Sequence, residues 1–239
     1  MTPDQMRSSA GRDIVLLGGL WLDVTAWDEV AAALRGLGDR PVPVTLPGQG
    51  DGVTGATLQD QLDSVLQAVD AAQRPLVVGH SAACTLAWMA ADRRPDDVSG
   101  VALIGGFPSA DGEKYAEFFA ITDGAMAFPG WEPFAGPDSA DLSTELRAKM
   151  ADSAIPVPEG VASGVVTLTD ERRSAVPVTL ICPEFGPAEA KEWIAAGDVP
   201  ELAAARDVRF VDIDSGHWPM FTKPVELAAM LHELAHPSS

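Results

Sequence analysis

The segment Val77-Val78-Gly79-His80-Ser81-Ala82-Ala83 sets a serine between a short β-branched run and an almost wholly apolar helical stretch. Small residues stand two before and two after it. A tight strand-to-helix turn requires that, because bulky neighbours would clash around the strained serine. Such a turn lifts the hydroxyl clear of a sheet and holds it over the N-terminus of the next helix. The backbone N–H of Ala82 and the helix dipole then face any oxyanion formed at the serine. A serine hydroxyl is a weak nucleophile at neutral pH and needs an imidazole to take its proton. Of the four histidines, His217 lies in Ser215-Gly216-His217-Trp218-Pro219, a glycine-containing loop before the last helix, and is the candidate general base. His80 flanks the serine, and its side chain is expected to point away from the reacting face, in a packing role. His232 and His236, on or beyond the terminal helix, read as solvated. The plainer alternatives are a serine helix cap at Ser81 and a loop histidine bonding backbone at 217.

These residues need elements to position them. Asp13-Ile14-Val15-Leu16-Leu17-Gly18-Gly19 reads as a buried strand ended by glycines. Thr25 as N-cap with Asp28 at N3 opens a helix carrying Trp27, Val30, Leu34 and Leu37 on one face. A short strand, Pro43–Leu46, runs into the turn Pro47-Gly48-Gln49-Gly50-Asp51. Thr57 and Asp60 repeat the capping pattern before Leu58, Leu62, Val65, Leu66 and Val69. Strand Pro75–Gly79, helix Ala82–Ala91 and strand Val101–Gly105 follow. After an interruption come strand Val178–Cys182, helix Pro187–Ala196, strand Val208–Ile213 and helix Pro224–Ala235. Strands apolar on both faces, alternating with helices, imply a mostly parallel sheet covered on both sides. The proline-rich interruption, 107–171, reads as an insertion over the sheet with short helical pieces such as Asp111–Ala120 and Asp141–Ala151. It carries Phe118, Phe119, Met126, Phe128, Trp131 and Phe134, which either wall a pocket above Ser81 or form the insertion's own core. The expected organisation is a core domain of 1–106 and 172–239 with a lid of 107–171.

The motifs, in order, resemble the α/β-hydrolase superfamily over nearly the whole chain. Gly79-His80-Ser81-Ala82-Ala83 looks like its nucleophile elbow, with Ala83 where the last glycine usually sits. Leu16-Leu17-Gly18-Gly19-Leu20-Trp21 looks like its oxyanion loop, with Gly18 in place of the usual histidine. Pro47-Gly48-Gln49-Gly50 matches its Pro-Gly-x-Gly turn, and Ser215–Pro219 its histidine loop. The resemblance implies an α/β-hydrolase fold with a small lid inserted after the sixth strand. It implies Ser81 as nucleophile, His217 as base, and the N–H groups of Leu20 and Ala82 as the oxyanion hole. The acid departs from the family pattern: Gly186 falls where the usual Asp would be. Glu184 is the nearest carboxylate and the candidate chosen. Asp111 lies far from its strand end, Asp212 and Asp214 lie close in sequence to His217, and a Ser–His dyad backed by water is the remaining alternative. Trp21 and Trp218, beside the oxyanion and histidine loops, are the candidate substrate-binding aromatics.

Composition narrows the partners. With 16 Lys+Arg against 35 Asp+Glu, the formal charge of −19 disfavours nucleic acid and anionic membrane surfaces. A hydrophobic share of 46% excludes a disordered acidic chain. Cys84 and Cys182 are too few for a disulfide framework, read as packed thiols, and suit a reducing, cytoplasmic location. The first residues lack a signal-peptide core, and no run approaches the ~20 apolar residues of a membrane span. No Cys/His cluster shows metal-ligand spacing, and Gly48–Gly52 is no phosphate loop, since no Lys-Ser/Thr follows. The expected partner is a small molecule, with neither metal nor cofactor. The expected reaction is hydrolysis of an ester, lactone or thioester of a small apolar acid. A C–C bond hydrolase or cofactor-free lyase using the same Ser/His pair, and a non-catalytic binding relative, are the alternatives.

Overall fold

The computed structural model describes residues 11–237. Five-residue apolar runs, each without one exposed position, form the central strands β1 (Asp13–Leu17), β3 (Leu76–His80), β4 (Gly100–Ile104) and β7 (Val178–Cys182). Strands buried on both faces need helices on both sides, and the chain supplies them between strands. On one edge lies β2 (Arg40–Pro43), where Pro41 and Pro43 are tolerated because an edge strand can spare their missing N–H groups. On the other lies β8 (Val208–Asp212). The six strands run in the order β2-β1-β3-β4-β7-β8, all parallel. One apolar layer contains α2 (Leu58–Ala71) and α3 (Ala83–Arg93); the other packs α1 (Asp28–Gly36) against α6 (Pro224–Ala235). The remaining long helices are α4 (Thr144–Ser153), within the insertion, and α5 (Pro187–Ala196), between β7 and β8.

Several boundaries depart from the sequence reading. The helix expected to start at Thr25 begins at Asp28. Asp23, not Thr25, caps a preceding 3-10 turn, its Oδ1 accepting from the Thr25 N–H at 2.8 Å. The strand expected at Pro43–Leu46 lies at Arg40–Pro43, drawn forward by pairing that starts at Asp13 opposite Arg40. The Thr57/Asp60 capping box forms as read, with both reciprocal bonds present.

The segment 107–171 follows β4, the fourth strand of this sheet in chain order and not a sixth as expected, since only β1, β2 and β3 precede β4 among the described residues. It contains α4 and a two-stranded antiparallel pair, β5 (Ala125–Met126) with β6 (Val157–Pro158). The helical piece expected at Asp111–Ala120 is absent: these residues follow an irregular path tied to the chain around 162–168. Tyr115 and Ala116 donate backbone N–H groups to Gly164 and Ala162, and Asp111 accepts from the Leu168 N–H at 2.8 Å. Those long-range bonds replace the local ones a helix would have made. Phe118 is 63% exposed and joins no core, whereas Met126 is fully buried. No helix among the described residues is long and apolar enough to cross a membrane.

Candidate active site

Ser81 follows the last residue of β3 and adopts φ +56°, a left-handed conformation costly for a side chain larger than glycine's. Its N–H donates to the Ile104 carbonyl at 2.8 Å, and its own carbonyl accepts from Cys84 at 3.0 Å, so strand and helix grip it from both sides. The strain is thus sustained by α3, whose first ten residues are all buried. The adjoining dipeptide Gly105-Gly106 leaves room for everything else. A Cβ at Gly106 would stand 2.6 Å from the Ser81 carbonyl oxygen. One at Gly105, where φ is +58°, would stand 3.2 Å from both His217 Nδ1 and Glu184 Oε2. Ser81 and the His217–Glu184 pair therefore flank the same two glycines.

His217 Nδ1 lies 2.6 Å from Glu184 Oε1, with both side chains largely buried. A carboxylate only accepts, so Nδ1 donates to it, which in a neutral ring leaves the lone pair on Nε2, the tautomer a general base needs. The second carboxylate oxygen, Oε2, is buried and bonds no described group. Asp111 bonds Leu168 instead, and Asp212 ends β8 exposed. Among the described residues, neither the Leu20 nor the Ala82 amide donates to a backbone carbonyl or side chain. Both sit beside Ser81: Ala82 follows it, and a Cβ on Gly19, just before Leu20, would stand 3.0 Å from the Ser81 Cβ. Gln49, buried in the Pro-Gly-Gln-Gly turn, donates from Nε2 to the Gly19 carbonyl at 3.3 Å and steadies that loop.

His80 departs from its reading. It is buried, as packing requires, but its ring lies 5.0 Å from that of His217, centroid to centroid, and Nε2–H donates to the His217 carbonyl at 2.8 Å. Burial, with a lesser push from His217, lowers its pKa to about 3, so the ring stays neutral. Nδ1 is left buried without a partner.

Two residues of the segment 107–171 also reach this centre, and no local pattern marks them. The Asp138 carbonyl accepts the His217 N–H at 2.7 Å. The Asp141 carboxylate accepts from the Gly216 N–H at 2.9 Å and the Ser215 hydroxyl at 3.2 Å. Burial, then the charge of Glu184, raises the Asp138 carboxyl above its ordinary range.

Aromatic rings extend from His217 across to the loop that follows β1. Trp218 packs edge-on to His217 at 4.8 Å and to Phe134 at 5.4 Å, while Phe134 lies 6.0 Å from Trp21. Trp21 also meets Phe119 and Phe128, and its indole N–H donates to the Met126 carbonyl at 3.1 Å. A cavity of about 220 Å³ lies on Trp21, Leu22, Leu146, Met150 and Phe221. Ser81 and His217 do not line it, so it is not the space in which a carbonyl would meet the serine. His232 and His236 are not simply solvated, for both bond the buried Asp39. Cys84 and Cys182 are buried thiols, and burial pushes Cys182 up to about 12.

The chain resembles solved structures over nearly its full length. One is an extracellular α/β-hydrolase from a Paenibacillus species, described as sharing structural and functional homology with tobacco salicylic acid binding protein 2. It aligns with a TM-score of 0.75 at 19% identity, covering 95% of this chain and 100% of that one. Tomato methylketone synthase I, complexed with 2-tridecanone, aligns with a TM-score of 0.72 at 17% identity, covering 96% and 100%. An Arabidopsis methylesterase aligns with a TM-score of 0.72 at 14% identity, covering 92% and 97%. At such identities the likeness speaks for the fold. No curated protein matches in sequence. The alpha/beta hydrolase family model matches residues 14–230, and with the parallel sheet and strand-to-helix serine described above, the chain belongs to the alpha/beta hydrolase family.

Proposed function

We propose that the protein is a serine hydrolase that cleaves esters of small apolar acids through an acyl-enzyme. The observation that carries this reading is the 2.6 Å bond between His217 Nδ1 and Glu184 Oε1 beside a serine held at φ +56°. Ser81 Oγ attacks the ester carbonyl as its proton passes to His217 Nε2. Glu184 stabilises the imidazolium that forms and keeps the ring oriented. The developing oxyanion takes hydrogen bonds from the Leu20 and Ala82 amides, which are preorganised and spend nothing on reorientation. Imidazolium returns the proton to the leaving alcohol, and water then repeats the sequence on the acyl-enzyme. Trp21, Trp218 and the phenylalanines between them offer apolar surface to the acyl group, and a strongly anionic protein attracts a neutral ester more readily than an anionic one.

A fluorophosphonate probe should label the protein at Ser81, and Ser81→Ala should abolish both labelling and p-nitrophenyl ester turnover. Labelling of Ser81→Ala at the wild-type level overturns the assignment. Mass-spectrometric trapping of an acylated Ser81 separates this reaction from a lyase using the same Ser/His pair, which forms no acyl-enzyme.

A further inference from the structure

At the end of the sheet opposite Ser81, residues far apart in the chain converge. Asp39 lies in the turn between α1 and β2, and its side chain is wholly buried. His232 and His236, four residues apart at the C-terminal end of α6, direct one ring nitrogen each at its carboxylate. His232 Nδ1 lies 2.7 Å from Oδ2 and His236 Nε2 lies 2.8 Å from Oδ1. The imidazole rings are 4.4 Å apart, and the three groups' ligand atoms all lie within 4.8 Å of one another. We propose that Asp39, His232 and His236 form a binding site for one borderline divalent transition-metal ion of the zinc, nickel or cobalt type, which pins the terminal helix to the turn before β2.

The donor set suits that class. Two imidazoles and one carboxylate are ligands for such ions, whereas magnesium and calcium demand oxygen. A tetrahedral ion with bonds of about 2.0–2.1 Å spaces its donors roughly 3.3 Å apart, so insertion asks for side-chain shifts on the order of 1 Å. The histidines can make them, since their side chains are 33% and 24% exposed. The same exposure gives the ion an entry path and leaves a position for water. The Asp39 carboxylate also accepts the Arg12 backbone N–H at 3.0 Å, which holds its orientation toward the two imidazoles. The neighbouring cation does not compete for it, because Arg40 is engaged with Asp13 at 2.7 Å. Each histidine must surrender the N–H that now bonds Asp39 by shifting its proton to the other ring nitrogen. The negative end of the α6 dipole and the net charge of −19 both favour a cation there.

The site is structural. Asp39 precedes β2, which pairs with the first residues of β1, whereas Ser81 follows the last residue of β3. A five-residue strand separates the two ends by roughly 16 Å. The test is thermal unfolding and metal analysis of the chelator-stripped full chain with zinc chloride, and with magnesium chloride as control. Zinc should bind one per chain and, at about a hundred times its Kd, raise Tm by roughly 5–10 °C. Magnesium should do neither. His232→Ala should lose stoichiometric binding and the Tm rise. His236→Gln, a milder change just past the end of α6, should weaken both while leaving ester turnover unchanged. The proposal is overturned if ~100 μM zinc neither binds nor shifts the wild-type Tm, or if His236→Gln keeps the full shift, for then the ion binds elsewhere.

Discussion

Replacing Glu184 by glutamine tests the acid with almost no change of shape. In the wild type a largely buried carboxylate oxygen sits 2.6 Å from His217 Nδ1, and its twin Oε2 is buried without a described partner. Glutamine has two ways to fit, and both harm the base. With the amide oxygen toward Nδ1, the amine occupies the partnerless Oε2 position, an unmet donor costing about 1–3 kcal/mol, and the imidazolium loses its counter-charge. With the amine toward Nδ1, histidine must carry its proton on Nε2 and cannot accept one from Ser81. A lost triad acid reduces kcat by up to ~10⁴, or about 5 kcal/mol of barrier, so Glu184→Gln should cost between ~10² and ~10⁴ with KM little changed. Glu184→Asp withdraws the carboxylate by one methylene, to roughly 4 Å from Nδ1, beyond hydrogen-bond reach, and should fall between the two. The assay is the acylation burst with p-nitrophenyl acetate alongside the rate of fluorophosphonate labelling, with near-UV circular dichroism as the folding control. A folded Glu184→Gln variant within ~3-fold of wild type would refute the reasoning, the more so if Asp138→Asn lost activity instead, because that would transfer the role to Asp138.

Two other predictions rest on the same centre. A Cβ at Gly216 would overlap the Asp138 carbonyl oxygen and the Asp141 carboxylate, so Gly216→Ala should displace the histidine loop. We expect at least a ~10²-fold loss of kcat, the scale of a 1 Å misplacement, and rescue of part of it by Asp141→Ser, which removes one obstacle; full activity in Gly216→Ala alone would contradict the clamp. For pH, burial lowers His80 to about 3 against an ordinary value of 6.5, so the unfolded chain binds the extra proton between those values. The stability this residue contributes is therefore complete above pH 6.5 and lost as pH falls toward 3, at up to about 1.4 kcal/mol per pH unit. Chemical denaturation of wild type and His80→Phe from pH 7 to 4 reads this directly, and equal slopes in the two would remove the assignment.

How much was legible in the chain follows from how local each feature is. The buried strands, the capping box at Thr57 and the turn around Ser81 are consequences of neighbouring residues, and a linear reading reaches them. The same reading misplaces the start of the first helix, because a 3-10 turn capped by Asp23, Val24–Trp27, precedes it. It also found a helix at 111–120 that backbone bonds to residues around 162–168 do not allow. The i, i+4 spacing of His232 and His236 was the one available hint of their pairing. Nothing in sequence pointed to Asp39, 193 residues away.

By itself, then, the sequence determined the family, the alternation that builds a parallel sheet, and the residues proposed for acyl chemistry, since each depends on residue type within a few positions of the chain. Tertiary structure decided which carboxylate meets His217, beside Gly105, where an added Cβ would press on both side chains. It decided that Asp138 and Asp141 of the insertion hold the histidine loop, and that His80 serves the backbone of His217 rather than a remote core. The physical reason is one of range. Strand and helix formation obeys short periodicities, whereas a hydrogen bond of 2.6–3.0 Å between segments tens of residues apart depends on how every intervening element packs.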